Sequence, residues 1–102
     1  MNYRNPMTDR LFDTILSLRT RDECYRFFED ALTVKEMLDI AQRLEVAKML
    51  DEKQSYATIA KETGMSTATI SRVSRCLLYG SGGYRLALDR MAERENPENG
   101  EK

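Results

Sequence analysis

Apolar residues recur at helical spacing along most of the chain, and polar or glycine-containing breaks divide them into six segments. The first segment, Leu11–Leu18, has Thr8 or Asp9 as its predicted N-terminal cap. A second, shorter helix is predicted from Asp22 to about Asp30. The opening pattern is therefore that of two amphipathic helices.

A longer central helix follows. Thr33-Val-Lys-Glu36 has the form of a capping box, in which the threonine and glutamate side chains each pair with a free amide at a helix start. The helix is predicted from Thr33 to about Glu52. Its apolar positions cover more than a narrow stripe, which indicates packing on two sides.

The next segment has the spacing of a helix-turn-helix. Ser55 is placed to cap a helix over Tyr56–Thr63, and Gly64 follows where a left-handed residue usually ends a helix. Ser66 offers its side-chain oxygen to the amides of a second helix, predicted from Thr67 to about Tyr79. This second helix is the predicted recognition helix.

The apolar residues of this segment fall on one side of each predicted helix. Ile59 and the small Ala60 are placed where the two helices cross, and Met65 can fill the gap between them. Ile70 and Val73, three residues apart, both face the core. The outer face keeps short or basic side chains, which suit a major groove. An ordinary helical hairpin with a glycine turn is the alternative.

Roles follow from position along this segment. Thr67, Ala68 and Thr69 would face base edges, and Arg72 would reach a base or a phosphate. The start of the first helix would meet the DNA backbone. The predicted DNA-binding residues are Ser55, Tyr56, Ala57, Lys61, Ser66, Thr67, Ala68, Thr69, Arg72 and Arg75. Packing for Tyr56 and simple solvent exposure for Lys61 and Thr69 are the alternatives.

The chain then breaks at Gly80-Ser-Gly-Gly83 and resumes as an amphipathic helix from Tyr84. The pattern predicts an all-α fold of six helices in a single DNA-binding domain, residues 1–94, and a polar tail, residues 95–102. The predicted parts of the domain are dimerisation helices at 1–31, the central helix at 33–52, the helix-turn-helix at 55–79 and a C-terminal helix at 84–94.

Composition narrows the function. The 102 residues are 41% hydrophobic and 32% charged, which is typical of a globular protein, and no apolar run reaches membrane-spanning length. We therefore expect a cytoplasmic protein. Cys24 and Cys76 lie outside any metal-ligand spacing and are expected to be buried thiols. The chain has no histidine and no catalytic motif, so neither an enzyme nor a metal site is expected.

The net charge of −1 conceals an uneven distribution. Residues 55–90 carry five basic side chains against two acidic ones, a net +3, whereas residues 1–54 and 91–102 each carry −2. Positive charge is thus concentrated around the helix-turn-helix, as DNA binding requires.

The two N-terminal helices carry more apolar surface than so short a chain is expected to cover. We expect a second copy to cover it, because a two-fold dimer would also read two half-sites. A monomeric bundle is the alternative. The apolar side chains concerned include Phe12, Tyr25, Phe27 and Phe28.

Three short stretches carry a family resemblance: Leu32-Thr33, Gln42-Arg43 and Ala68-Thr69-Ile70-Ser71-Arg72. Together they resemble the Trp repressor family, most of all its TrpR-like YerC/YecD branch, over most of residues 32–91. The resemblance implies an intertwined homodimer whose helix-turn-helix units project as separate heads.

The resemblance also implies a ligand site. In tryptophan-binding members two arginines sandwich the indole and a threonine holds the carboxylate; Arg43, Arg72 and Thr33 match these positions. Val73 replaces a glycine that leaves room for the ring, and Cys76 replaces a serine that holds the amino group. An added side chain in a filled space costs about 1–3 kcal/mol. No cofactor is therefore expected: L-tryptophan is the candidate that the family offers, and Val73 and Cys76 disfavour it.

The leading hypothesis is a homodimeric, sequence-specific transcriptional regulator, most simply a repressor, that acts on double-stranded DNA. A DNA-targeting module, as in replication initiators or transposases, and a protein-interaction dimer without DNA affinity are the alternatives. The acidic overall charge is the main support for the protein-interaction dimer.

Overall fold

The computed structural model describes residues 2–95, which form six α-helices and no strand, as predicted. The chain divides into two compact units, with the boundary between Met37 and Leu38. The helices are α1 Pro6–Leu16, α2 Arg21–Ala31, α3 Val34–Asp51, α4 Tyr56–Thr63, α5 Thr67–Tyr79 and α6 Gly83–Glu95.

Helix α1 begins earlier than predicted. Asn5 is its N-cap: the Asn5 Oδ1 accepts a hydrogen bond from the Thr8 amide at 3.0 Å, and Pro6 occupies the first helical position. The predicted cap at Thr8 or Asp9 is wrong, because an asparagine followed by proline is a stronger start signal than a residue inside the first turn.

Helix α2 starts one residue earlier than predicted and ends at Ala31. The Thr20 hydroxyl caps it by accepting from the Glu23 amide at 3.0 Å. Phe27 and Phe28 meet edge to face with ring centroids 5.2 Å apart. Even so, no residue of α1 or α2 is buried.

The capping box at the start of α3 is confirmed. The Glu36 amide donates to the Thr33 hydroxyl at 3.1 Å, and the Thr33 amide donates to a Glu36 carboxylate oxygen at 2.9 Å. Only the second half of the helix contains buried residues, which are Val46, Ala47 and Met49. In the first half, Val34, Leu38 and Ile40 are exposed.

The second unit has a continuous apolar core. Its buried side chains come from α3, α4, α5 and α6, and no buried polar group accompanies them among the described residues. These core residues are Val46, Ala47, Met49, Ile59, Ile70, Val73 and Leu88. The core therefore holds the α4–α5 hairpin against the helices that precede and follow it.

Two expectations need correction. Cys24 and Cys76 are both exposed rather than buried, because the inward positions of α5 are taken by Ile70 and Val73 and α2 has no buried position. Glu95 ends α6 and does not begin the tail; residues 96–102 lie outside the described residues. None of the described helices is long and apolar enough to cross a membrane.

Candidate nucleic-acid interface

The helix-turn-helix is present as predicted, and its inner face is closed. Ile59 of α4 and Ile70 of α5 are fully buried, and Val73 is 2% exposed. Ala60 and Met65 are half-buried against the same core. The inner side of the hairpin is therefore fixed by packing, and its outer side is left available.

The turn of the hairpin depends on one left-handed residue. Gly64 has a φ of 73°, and its amide donates to the Ala60 carbonyl at 2.9 Å. The Thr63 hydroxyl adds a bond to the Ile59 carbonyl at 2.7 Å. These contacts satisfy the end of α4 and direct the chain into α5, as the glycine predicted.

Both helices of the hairpin begin with the same chemistry. In α4 the Ser55 Oγ accepts from the Thr58 amide at 3.1 Å, and in α5 the Ser66 Oγ accepts from the Thr69 amide at 3.1 Å. Each serine hydroxyl also donates to the threonine hydroxyl, at 3.0 and 3.1 Å. Ser55 and Ser66 are thus caps, as predicted.

The caps leave other amides free at both helix starts. Within residues 2–95, the backbone N–H groups of Tyr56, Ala57, Thr67 and Ala68 have no hydrogen-bond acceptor. Such groups carry the positive end of the helix dipole and bind phosphate oxygens. The N-termini of α4 and α5 are therefore suited to binding the phosphate groups of a nucleic-acid backbone.

The face of α5 opposite its buried residues is short and basic. Ala68, Arg72 and Arg75 are exposed at spacings of four and three residues, which places them on one side of the helix. Thr67 is also exposed, and Thr69 is half-buried beside its Ser66 partner. Lys61, on α4, is exposed as well.

The charges near the hairpin divide into two groups. Lys61, Arg72 and Arg75 make no ion pair with any residue between positions 2 and 95. Arg85 instead pairs with Asp51 and Asp89 at 2.8 and 3.0 Å. Hydrogen bonds from Arg85 hold the pKa of the Asp51 carboxyl below its ordinary value of 3.8. Part of the predicted positive charge is therefore neutralised within the protein.

The residues implied as a ligand site have separate local roles. The Thr33 hydroxyl caps α3, Arg43 is half-buried on α3 and Arg72 is exposed on α5. Val73 lies in the core cluster, and the exposed Cys76 presents a thiol in place of the family's serine. The described residues contain no group of three or more possible metal ligands.

Sequence reasoning missed two features here. The Thr58 and Thr69 hydroxyls complete the caps, and the repeated Ser-x-Ala-Thr pattern at Ser55 and Ser66 is the signal that could have revealed this. The Asp51–Arg85 ion pair spans 34 residues and has no local signal.

The fold and the exposed recognition helix define the class: an all-α protein with a helix-turn-helix of the kind that binds DNA. Within this class the chain belongs to the Trp repressor family, whose model, "Trp repressor protein", matches residues 7–92. That family consists of regulatory DNA-binding proteins. The family resemblance seen in the sequence is confirmed.

Individual relatives match most of the chain. The chain is 56% identical over 92 residues to the uncharacterized protein YerC of Bacillus subtilis (strain 168), covering 90% of this chain and 88% of that protein. It is similar to the crystal structure of a TrpR like protein from Eubacterium eligens ATCC 27750, with a TM-score of 0.85, 50% identity, and 87% and 92% of the two chains covered.

A solved structure from Staphylococcus aureus gives a similar result. Its TM-score is 0.84 at 53% identity, and the match covers 87% of this chain and 89% of that chain. At this level of identity the agreement extends to sequence as well as fold.

Proposed function

We propose that the protein is a sequence-specific transcriptional regulator, acting as a repressor, that binds double-stranded DNA as a homodimer. The observation that carries the proposal is the outer face of α5, where Ala68, Arg72 and Arg75 are exposed on a helix whose other side is buried. Small side chains let the helix approach base edges, and unpaired arginines bind guanine or phosphate.

Base reading is assigned to the start of α5. Thr67 and Ala68 are exposed there, and the Thr69 hydroxyl accepts a hydrogen bond from Ser66. The O–H group of Thr69 is therefore left to donate to an acceptor on a base. Arg72, one turn further along, reaches a base or a phosphate.

Backbone contacts are assigned mainly to α4. The free amides of Tyr56 and Ala57, next to the capping Ser55, favour a phosphate, and the exposed Lys61 adds positive charge. Ser66 at the start of α5 and Arg75 on its outer face would extend these contacts. This division gives each group of residues a different role in specificity.

The homodimer is supported by the first unit. Its helices have no buried residue, and Phe12, Leu16 and Tyr25 are 56%, 81% and 53% exposed. Apolar surface of this extent is typical of an interface with another chain. A second copy would cover it and would present a second recognition helix to a two-fold operator.

Tryptophan is not part of the proposal, because the residues present do not fit it. Val73 is 2% exposed and fills the core where the tryptophan-binding relatives have glycine, and Cys76 offers a thiol in place of a hydroxyl. Titration calorimetry should therefore give no micromolar binding of L-tryptophan. Binding at that level would contradict the assignment of Val73.

The test is selection of bound sequences from a random DNA pool by the full chain. We expect a palindrome with half-sites about one helical turn apart. Thr69→Ala should then change the base preference within each half-site, with Thr69→Ser as the control that keeps the hydroxyl. Lys61→Ala should weaken binding to all sequences and reduce the salt slope by about one.

Three results would overturn parts of the proposal. Failure to enrich any sequence, together with no shift of pooled genomic fragments in a gel, would favour the protein-interaction dimer. Enrichment of replication origins or of the ends of transposable elements among the bound genomic fragments would favour a DNA-targeting module. Identical effects of Thr69→Ala and Lys61→Ala on every sequence would contradict the division of roles.

A further inference from the structure

One ion pair joins the two helices that flank the hairpin. Arg85 presents both terminal nitrogens to Asp51: Nη1 lies 2.8 Å from Oδ1, and Nη2 lies 3.0 Å from Oδ2. Asp51 is the last residue of α3, and Arg85 lies in the first turn of α6. The chain enters the hairpin just after Asp51 and leaves it just before Arg85, so the pair closes a loop that contains all of α4 and α5.

The connections that lead into and out of the hairpin both pass through left-handed backbone. Lys53, between α3 and α4, has a φ of 66°, and Gly82, between α5 and α6, has a φ of 85°. Lys53 is the only non-glycine residue of positions 2–95 with a positive φ. The end of α3 holds Lys53 in this conformation, because the Lys53 and Gln54 amides donate to the Leu50 and Met49 carbonyls at 3.0 and 3.1 Å. A glycine link, in contrast, is free to rotate when it is not held.

The pair is suited to fixing a geometry rather than to adding stability. The two side chains are 47% and 38% exposed, and exposed ion pairs contribute little to the free energy of unfolding. Its two parallel hydrogen bonds, however, fix both distance and orientation. The Arg85 Nε also donates to Asp89 on α6 at 3.0 Å, which holds the guanidinium in place.

We propose that Asp51 and Arg85 form a clamp that positions the hairpin for DNA binding by fixing the start of α6 to the end of α3. The inference rests on the proposed function and adds two positioning residues that do not contact DNA. Without the clamp, the hairpin would spend only part of its time in the binding-competent arrangement. The apparent affinity would fall in proportion to that fraction.

Asp51→Asn separates positioning from simple electrostatics. Removing a negative charge near a DNA-binding surface should tighten binding if charge alone matters. The clamp predicts the opposite: weaker binding to the selected operator, by about twofold if half of the molecules stay competent, which is within what the loss of one exposed ion pair can produce. Glu52→Gln is the matched control, because it removes an adjacent carboxylate that pairs with Lys48 and not with Arg85.

A charge swap provides the rescue. Asp51→Arg combined with Arg85→Asp keeps the net charge and places each charge favourably for its helix dipole, so it should restore most of the affinity lost in Asp51→Asn. A readout independent of DNA is amide hydrogen exchange: Asp51→Asn should speed exchange at the hydrogen-bonded amides of residues 52–54 and Gly80 while the circular dichroism spectrum stays that of the wild type.

The outcomes keep the two proposals apart. Wild-type protein that selects no DNA sequence contradicts the proposed function, and unchanged exchange in Asp51→Asn then contradicts the clamp as well. Wild-type protein that binds DNA, with Asp51→Asn binding as tightly as Glu52→Gln or more tightly, overturns the clamp alone. A swap variant that folds but binds no better than Asp51→Asn also contradicts it.

Discussion

The two units of the chain use similar patterns of apolar residues with different results. In the second unit seven apolar side chains are buried by the chain's own helices. In the first unit α1 and α2 have no buried residue, although the sequence places apolar residues at helical spacing there too. Periodicity thus tells which face of a helix is apolar but not what covers that face.

This difference separates two sources of stability. Each fully buried aliphatic side chain of the second unit contributes about 1.5–3 kcal/mol without any partner. The apolar residues of α1 gain this only when another surface covers them, and we propose a second copy as that surface. The recognition helix therefore lies in the unit with its own core, and the proposed dimer contacts lie in the other.

The largest effect is expected in the core behind the recognition helix. Ile70 is fully buried, so Ile70→Ala should lower the free energy of unfolding by about 2–5 kcal/mol, through lost transfer free energy and the cavity left behind. Urea unfolding followed by circular dichroism measures this. Ser71→Ala, one residue further on the exposed side, is the control and should stay within about 0.5 kcal/mol.

A loss below about 1 kcal/mol for Ile70→Ala would contradict the contrast between the units. It would mean that the second unit is no better packed than the first. Equal losses for Ile70→Ala and Ser71→Ala would contradict the assignment of inner and outer faces on α5.

The second effect concerns the exposed apolar face of the first unit. Phe12→Asp places a charge where we propose that the second copy packs, and the substitution occurs twice in a two-fold dimer. We expect a loss of about 3 kcal/mol of association free energy, roughly 100-fold in the dissociation constant of the dimer. Sedimentation equilibrium over a range of concentrations measures it.

Asp13→Asn is the control for this substitution, since Asp13 is exposed next to Phe12 on the same helix and the change introduces no charge. It should leave the dissociation constant unchanged. A wild-type protein that remains monomeric at all concentrations would contradict the proposed dimer and leave the exposure of α1 without that explanation.

Local chemistry explains why much of the second unit could be predicted. The caps at Ser55 and Ser66 and the turn at Gly64 each depend on residues within four positions of one another, and all three are confirmed. The start of α1 was missed even though its signal is equally local, because the asparagine and proline at its start precede the first apolar residues of the helix.

Contacts between distant residues could not be predicted in this way. Nothing in the spacing of Asp51 and Arg85 indicates that they meet, because their approach depends on how four helices and three connections pack. The exposure of Cys76 has the same origin: it depends on which neighbours of the helix fill the core. The assignment of individual DNA contacts stays a prediction.

The smallest effects are expected at two glycines of the second unit, where substitution by alanine should change the stability of the protein in opposite directions. Gly64→Ala forces a side chain into left-handed backbone and should destabilise the protein by about 1 kcal/mol, although no atom would touch the new methyl group. Gly83 begins α6 with ordinary backbone and open space, so Gly83→Ala should stabilise it by about 0.4–1 kcal/mol, because alanine restricts the unfolded chain. Thermal unfolding of both variants measures the two shifts. If both lower the midpoint, the turn at Gly64 is not distinguished by its conformation, and the hairpin geometry must then depend on packing at Ile59 and Ile70 alone.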